Sequence, residues 1–220
     1  MAMLRVVLFD IDGTLIRTGG AGVRAFARTG ATEFRVENGT AQMRFAGRTD
    51  GSLVREFFHR HSIAPVPDAF MRFFDRYVFL LDHYLGQSEG RVCSGVLAFL
   101  EKLRRLPSPP ILGLLTGNIR LGAEIKLRHY RLWDWFETGA FGDDHEDRNR
   151  LAHVAWDRAG RLLGARLDPA EILIVGDTPA DVACGRAIGA QVLAVTTGGA
   201  SRAELEACRP DALVDRLDQF

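Results

Sequence analysis

The chain has 220 residues, of which 47% are hydrophobic and 25% are charged, the composition of an ordinary globular protein. Its formal net charge is zero, so nothing indicates nucleic acid or an anionic membrane as a partner. The apolar runs are shorter than the roughly 20 residues of a membrane span, and the N-terminal one is too short for a secretory signal. We therefore expect a soluble cytoplasmic protein with one well-buried domain, or one domain with a modest insertion.

A short apolar run opens the chain. Residues 4–9 are rich in β-branched side chains and too few for a helix, so they predict a buried strand of a parallel sheet. The run stops at Asp10 and Asp12, whose spacing of two directs both side chains to the same side. Gly13 lets the backbone turn away directly behind them. Two carboxylates held this close repel each other unless a cation lies between them or one is protonated.

The next seventy residues predict helices and no convincing buried strand. A flexible joint by composition, TGGAG, comes first at residues 18–22. The predicted helices are residues 21–34, a helix capped by Thr49 or Asp50, and a long helix from Pro67 to Gly86. Aromatic and leucine side chains recur at three-and-four spacing in the long helix, which marks an apolar face for packing. We predict a small helical bundle inserted after the first strand.

From residue 94 onward, strands alternate with helices, the pattern of a parallel α/β sheet. The predicted elements are a helix capped by Ser94, a strand at 111–116, a helix at 121–130, a short strand at 136–141, a helix at 149–163, a strand at 172–175, a helix at 179–188, a strand at 191–197, a short helix at 201–207 and an apolar stub at 212–214. The fold class we expect is α/β, a Rossmann-like parallel-sheet core with an inserted α-helical domain.

Two further strand ends carry polar residues where an open α/β sheet places its ligands. Thr116 offers a hydroxyl, and Gly117 and Asn118 offer backbone N–H groups in a tight turn suited to phosphate oxygens. Asp177 immediately follows the predicted strand at 172–175 and its glycine, and Asp181 lies one helical turn further on. Helix capping by Asp177 is the structural alternative to a ligand role.

The string Asp-x-Asp-Gly-Thr-Leu directly after an apolar strand resembles the first motif of the haloacid dehalogenase superfamily. The later strand ends occur in the family's order. The resemblance implies that Asp10 is the nucleophile that becomes phosphorylated, and that Asp12 is a general acid/base whose backbone carbonyl ligates magnesium. It also implies a core domain of residues 1–17 and 92–220, and a cap domain of residues 18–91 that closes over the site.

The same resemblance assigns the remaining site residues. Asp10, Asp12 and Asp177 are the expected Mg²⁺ ligands, and Asp181 is expected to orient waters or Asp177 rather than to ligate the ion. Thr116 is expected to neutralise charge on the phosphoryl group. The expected phosphate-binding residues are Gly13, Thr14, Thr116, Gly117 and Asn118.

A phosphoryl group among carboxylates also needs a fixed positive charge, which the family takes from a Lys or Arg before the fourth strand. No lysine is available for that role here, and the family's usual Lys-Pro pair is missing. We favour Arg148, which opens the helix after the loop, and keep Arg150 as the alternative. In the cap, Arg48 of the AGRTD loop is expected to bind an anionic group of the substrate or to be solvated.

These assignments predict a magnesium-dependent phosphatase that hydrolyses a small phosphomonoester through an aspartyl phosphate. A sugar phosphomutase of the β-phosphoglucomutase type is the alternative within the family, because it resembles this chain in the same motifs and cap class. From another class, a receiver-like signalling module also phosphorylates an Asp beside magnesium. Such a module has no use for a helical lid of this size. The expected partner is a small phosphate ester.

Overall fold

The computed structural model describes residues 3–220, and its centre is a six-stranded parallel sheet. The strands of these residues, including a separate short pair formed by β2 and β3, are β1 (Val6–Phe9), β2 (Ile16–Arg17), β3 (Arg91–Val92), β4 (Ile111–Leu115), β5 (Thr138–Ala140), β6 (Ile172–Gly176), β7 (Gln191–Val195) and β8 (Ala212–Val214). The sheet has the order β5-β4-β1-β6-β7-β8, and each neighbouring pair is parallel. The strand order reverses at β1, where an α/β sheet binds its ligands. The predicted α/β class is confirmed.

The helices follow the predicted order. They are α1 (Ala21–Phe34), α2 (Asp50–Arg60), α3 (Pro67–Leu85), α4 (Val96–Arg104), α5 (Arg120–His129), α6 (Arg148–Leu163), α7 (Pro179–Ile188) and α8 (Arg202–Ala207). Across the part of the chain that the structure describes, none of these helices combines the length and the hydropathy that crossing a bilayer requires.

Side chains of β1 alternate between two buried layers, as a strand covered on both faces requires. Val7 and Phe9 belong to one cluster with side chains of α4 and α5. Val6 and Leu8 belong to the other, with side chains of α6 and α7. All four side chains are fully buried. Because apolar contacts hold β1 on both sides, the chain directly after it is fixed in position.

The helices α1, α2 and α3 form a separate apolar cluster. Phe26, Phe57, Phe58 and Phe73 are buried in it, and their rings meet mostly edge-on or tilted. The apolar face of α3 is buried here, so the aromatic stripe serves helix packing as expected. Ile119, which follows the β4 turn, also packs into this cluster and links it to the sheet. The division into core and cap at residues 17/18 and 91/92 stays a prediction.

Two features differ from the prediction. The short antiparallel pair of β2 and β3, with Ile16 opposite Val92, was not predicted, because two-residue strands leave no periodic signal. The prediction that Ser94 caps a helix was wrong. Gly95 occupies the cap position with a φ of 85°, and no side chain caps the first turn of α4. A left-handed residue at this point favours glycine whatever precedes it.

Candidate active site

The carboxyl ends of three adjacent strands bring the predicted motifs together. Strand β1 pairs in parallel with β4 on one side and with β6 on the other, so the residues just past the strand ends are neighbours. These residues are Asp10, Thr116 and Asp177, and all three are buried. A cavity of about 290 Å³ opens beside them, and Asp10, Asp12 and Asp177 line it. Its size suits a small molecule.

Asp10 is a buried carboxylate with one fixed oxygen. Arg148 donates from Nη2 to Asp10 Oδ1 over 2.8 Å. Burial raises the pKa of Asp10 to about 6, because desolvation penalises the anion more than the Arg148 guanidinium stabilises it, and the Asp181 carboxylate raises it further. The Asp10 carboxylate is therefore poorly solvated, but Arg148 holds it in a fixed orientation.

Asp177 lies against the turn that follows Asp10. Thr14 donates from Oγ1 to Asp177 Oδ1 over 3.0 Å, and the Gly199 backbone N–H donates to Oδ2 over 3.3 Å. Burial raises the pKa of Asp177 to about 8, and the nearby charge of Asp10 raises it further. Gly13 is required here: its φ is 96°, and a Cβ at this position would lie 2.5 Å from Asp177 Oδ2.

Asp181 is already held by the protein at both oxygens. Its Oδ2 accepts from the Thr178 N–H over 2.9 Å and from the Thr178 hydroxyl over 2.7 Å, which caps α7. Its Oδ1 accepts a hydrogen bond from Arg148. The expectation that Asp181 supports the site rather than ligating an ion directly stays a prediction.

The three carboxylates form a group that suits a hard cation. Asp10, Asp177 and Asp181 each offer an oxygen, and these oxygens lie within 4.8 Å of one another. Carboxylate oxygens are the ligands that Mg²⁺ prefers. Burial, together with repulsion between neighbouring carboxylates, raises the pKa values of Asp10 and Asp177, so their charged forms are disfavoured without a counter-charge. A divalent ion would supply that counter-charge, so the residues present fit the predicted metal.

Asp12 is held by two donors, one of which the sequence analysis missed. Its Oδ2 accepts from Asn118 Nδ2 over 2.8 Å and from Lys126 Nζ over 2.6 Å. Lys126 also donates to Asn118 Oδ1 over 2.6 Å, which closes a three-membered network. Lys126 lies at the site, but earlier in the chain than the position where the family places its cation, and it was not among the predicted site residues. Its place on the buried face of α5, with Ala123 and Leu127, was the available signal.

Arg148 and Arg150 occupy different environments. The guanidinium of Arg148 is mostly buried and bridges Asp10 and Asp181. Arg150 is exposed. The structure thus brings the favoured arginine to the nucleophile candidate and leaves the alternative outside, because the first residue of α6 points toward the strand ends.

The turn after β4 is built around the Thr116 hydroxyl. Thr116 Oγ1 accepts from the Asn118 N–H over 3.2 Å and from Asn118 Nδ2 over 2.9 Å. Gly117 and Asn118 line the cavity, whereas Thr116 is fully buried behind them. Thr116 therefore orders the turn, and its neighbours form the surface that faces the cavity.

The loop before α2 closes the cavity from the helical side. The Asp50 N–H donates to the Gly117 carbonyl over 2.7 Å, and the Ile119 N–H donates to Asp50 Oδ2 over 2.9 Å. Burial raises the pKa of Asp50 to about 6, and the Lys126 charge opposes that rise. Gly117 has no room for a side chain, because a Cβ there would lie 2.1 Å from the Arg48 carbonyl oxygen.

The Arg48 side chain lines the cavity but is paired within the chain. Its guanidinium donates to the Glu56 carboxylate and to the Ser52 carbonyl, the latter over 3.1 Å. The prediction that Arg48 binds an anionic group of the substrate stays a prediction.

A second loop at the site was not predicted. Residues 196–199 follow β7 and reach the motif after β1: Thr197 donates from Oγ1 to the Gly13 carbonyl over 2.7 Å. Arg17 donates to the carbonyls of Thr197 and Gly198 over 2.7 and 2.8 Å. The Thr-Thr-Gly-Gly string directly past a predicted strand was the signal that could have identified this loop.

Comparisons with known proteins agree with this arrangement. A family model described as "HAD-hyrolase-like" matches residues 149–220, which include Asp177 and Asp181. Pyrophosphatase PpaX of Bacillus cereus (strain AH820) is 27% identical over 227 aligned residues, covering 99% of this chain and 94% of the relative.

Solved structures share the whole fold. A predicted phosphoglycolate phosphatase from Haemophilus somnus 129PT superposes with a TM-score of 0.75 at 18% identity, covering 100% of this chain and 97% of that chain. CbbY from Rhodobacter sphaeroides, a mutant in complex with xylulose-(1,5)bisphosphate, gives a TM-score of 0.77 at 18% identity, covering 99% and 96%. At this identity the likeness establishes the fold.

Proposed function

Because the chain belongs to the haloacid dehalogenase-like hydrolase superfamily, we propose that it is a magnesium-dependent phosphatase that hydrolyses a small phosphomonoester through an aspartyl phosphate on Asp10. The observation that carries the proposal is the buried Asp10 carboxylate, which has one oxygen fixed by Arg148 and lies within a group of three acids. Relatives named as a phosphatase and a pyrophosphatase support the phosphatase class.

Asp10, Asp177 and the backbone carbonyl of Asp12 would hold the magnesium ion, and Asp181 would order its surroundings. When bound, the ion supplies positive charge that neutralises the transferring phosphoryl group and lowers repulsion between it and the carboxylates. Residues 18–91 are proposed to act as a cap over the core of residues 1–17 and 92–220. Such a cap excludes bulk water from the first step of the reaction.

In the first step, Asp10 attacks the phosphorus atom. Since Arg148 occupies Oδ1, we assign the attack to Oδ2. A bond forms between that oxygen and phosphorus, and the bond from phosphorus to the ester oxygen breaks. The departing oxygen takes a proton from the Asp12 carboxyl, so the products are the alcohol and an aspartyl phosphate. Asn118 and Lys126 hold Asp12 Oδ2, which leaves Oδ1 for this proton transfer.

In the second step, a water molecule attacks the phosphorus atom of the aspartyl phosphate. The Asp12 carboxylate accepts a proton from that water, the bond between phosphorus and Asp10 breaks, and inorganic phosphate is released with Asp10 restored. Arg148 offsets charge on the phosphoryl oxygens, and the backbone N–H of Gly117, a residue that lines the cavity, would donate to them.

A pyrophosphatase is the second candidate, because the PpaX relative matches over 99% of this chain. A sugar phosphomutase uses the same chemistry for its first half, but it returns phosphate to an isomer of the substrate and releases little free phosphate. A receiver-like module would instead accumulate a long-lived phosphorylated Asp10 without turnover.

The test compares wild-type protein with Asp10→Asn on a panel of phosphate esters and pyrophosphate, with magnesium and with a chelator. We expect free phosphate release that needs magnesium and falls at least about 10⁴-fold in the variant. Asp134→Asn, at a side chain that is 90% exposed, is the matched control and should retain activity. Full activity of Asp10→Asn would remove Asp10 as the nucleophile.

A further inference from the structure

The cavity has two chemically different halves. The half formed by the strand ends is charged, with Asp10, Asp12 and Asp177. The half formed by the helical cluster and its loop is mainly apolar: Val23, Phe26, Phe45, Leu53 and Tyr77 line it, together with the charged side chains of Arg48 and Asp50. A phosphoryl group bound at the charged half therefore places the remainder of its ester against hydrocarbon.

The apolar half is formed by side chains that the surrounding protein holds in place. Phe26 and Leu53 are 2% and 3% exposed, so the remainder of the protein fixes both of them. Phe45 packs edge-on against Phe26, with ring centroids 5.3 Å apart, and is only partly buried. Its ring therefore has area left to contact a ligand.

A second anionic group of the substrate would have to compete for cations that are already hydrogen-bonded within the chain. Within the described residues that line it, every cationic side chain already has partners in the chain. Arg148 is paired with Asp10 and Asp181, Lys126 with Asp12 and Asn118, Arg17 with the carbonyls of Thr197 and Gly198, and Arg48 with Glu56 and the Ser52 carbonyl.

A carboxylate further disfavours a second anion. Asp50 lines the cavity, and only one of its oxygens accepts a hydrogen bond, from the Ile119 N–H. A second phosphate or carboxylate on the substrate would lie near this acid and lose its hydration without gaining a counter-charge, which is costly.

We propose that the enzyme selects phosphate monoesters of small alcohols with an apolar body, preferably a ring, and discriminates against substrates that carry a second anionic group. This inference rests on the proposed phosphatase function and adds the substrate class. It makes Phe45 the specificity contact for the apolar body. It also gives the Glu56–Arg48 ion pair a role in specificity, because Glu56 binds the guanidinium of Arg48, which a second anionic group of the substrate would need.

The experiment measures kcat/KM for benzyl phosphate, phosphoglycolate and pyrophosphate. Benzyl phosphate and phosphoglycolate both release a primary alcohol, so their difference reports the body of the substrate rather than the leaving group. We expect wild-type protein to prefer benzyl phosphate by on the order of 100-fold.

Two variants test the two residues separately. Glu56→Gln frees Arg48 and should raise kcat/KM for phosphoglycolate about tenfold with little change for benzyl phosphate. Phe45→Ala should lower the value for benzyl phosphate about tenfold and leave phosphoglycolate unchanged. Glu33→Gln is the matched control for the first variant, because Glu33 pairs with Arg72 and Arg76 away from the cavity.

The outcomes separate this inference from the proposed function. Asp10-dependent hydrolysis with a preference for phosphoglycolate or pyrophosphate would overturn the substrate class and leave the phosphatase assignment intact. An unchanged ratio of the two ester activities in Glu56→Gln would overturn the role of the ion pair. Absence of hydrolysis of all three compounds would overturn both proposals.

Discussion

Replacing Asp177 by asparagine should stabilise the metal-free protein at pH 8 while it removes a proposed metal ligand. Asn is nearly isosteric, and its Oδ1 can still accept the Thr14 hydrogen bond, whereas the contact from the Gly199 N–H is lost at a cost of about 1 kcal/mol. The variant gains stability from a second effect that opposes this loss, because it no longer buries a carboxyl whose pKa is raised to about 8.

The sign of the pH dependence follows from this raised pKa. The folded metal-free protein keeps a proton on Asp177 up to about pH 8, whereas the unfolded chain releases it near pH 4. Stability of the wild-type protein should therefore fall as pH rises between these values and level off above pH 8. Between pH 5 and pH 8 the loss from this group is about 3 to 4 kcal/mol, at roughly 1.4 kcal/mol for each pH unit in the window. Asn cannot titrate, so the variant lacks this component.

The assay is urea-induced unfolding in EDTA at pH 5, 6.5 and 8. We expect the two proteins to have similar stability at pH 5 and the variant to be more stable by about 2 to 3 kcal/mol at pH 8. Added Mg²⁺ should stabilise wild-type protein most at pH 8 and should stabilise the variant much less. Parallel pH profiles of the two proteins in EDTA would refute the reasoning, because the pKa of Asp177 would then be the same in the folded and unfolded states.

Three further substitutions test the hydrogen bonds to Asp12 and the contact of the β4 turn with the loop before α2. Lys126→Met should lower kcat about 10- to 100-fold on alkyl phosphates. The loss should be much smaller on aryl phosphates, because their leaving groups need no proton from Asp12. Equal losses on both kinds of substrate would indicate that Lys126 has a structural role only. Lys126→Arg should not restore activity, because a planar fork does not replace the point contact of an ammonium. Gly117→Ala should lower kcat/KM at least about tenfold, since its Cβ would collide with the Arg48 carbonyl and displace the loop. Unchanged kinetics in this variant would show that the loop is free to move.

Local signals accounted for most element boundaries. Thr49 caps α2 as predicted, with its side chain accepting from the Ser52 N–H, and Pro67 opens α3. These signals act over three or four residues, so the chain carries them independently of its fold. Ser94 failed because the conformation of Gly95, next to Asp218 from the far end of the chain, decides how α4 begins.

The acids of the candidate site were also predictable from the sequence. Asp10, Asp12 and Asp177 each follow an apolar strand, and parallel strands end at one edge of the sheet, so their convergence follows from local pattern and topology alone. Arg148 was identifiable in the same way, as the residue that opens a helix after a loop. The sequence did not decide between Arg148 and Arg150, because the choice depends on which of the two side chains faces the strand ends.

The sequence by itself determined the α/β class, the helices, the strand ends and the three acids, because periodicity, caps and motifs are properties of neighbouring residues. Only the tertiary structure decided that Lys126 reaches Asp12 across 114 positions, that residues 196–199 reach Gly13, and that Glu56 pairs with Arg48. Most of these contacts join residues that are far apart in the sequence, so the sequence pattern does not show that they are close in space. The packing of helices and loops around β1 brings them together and thereby sets the charges that surround the cavity.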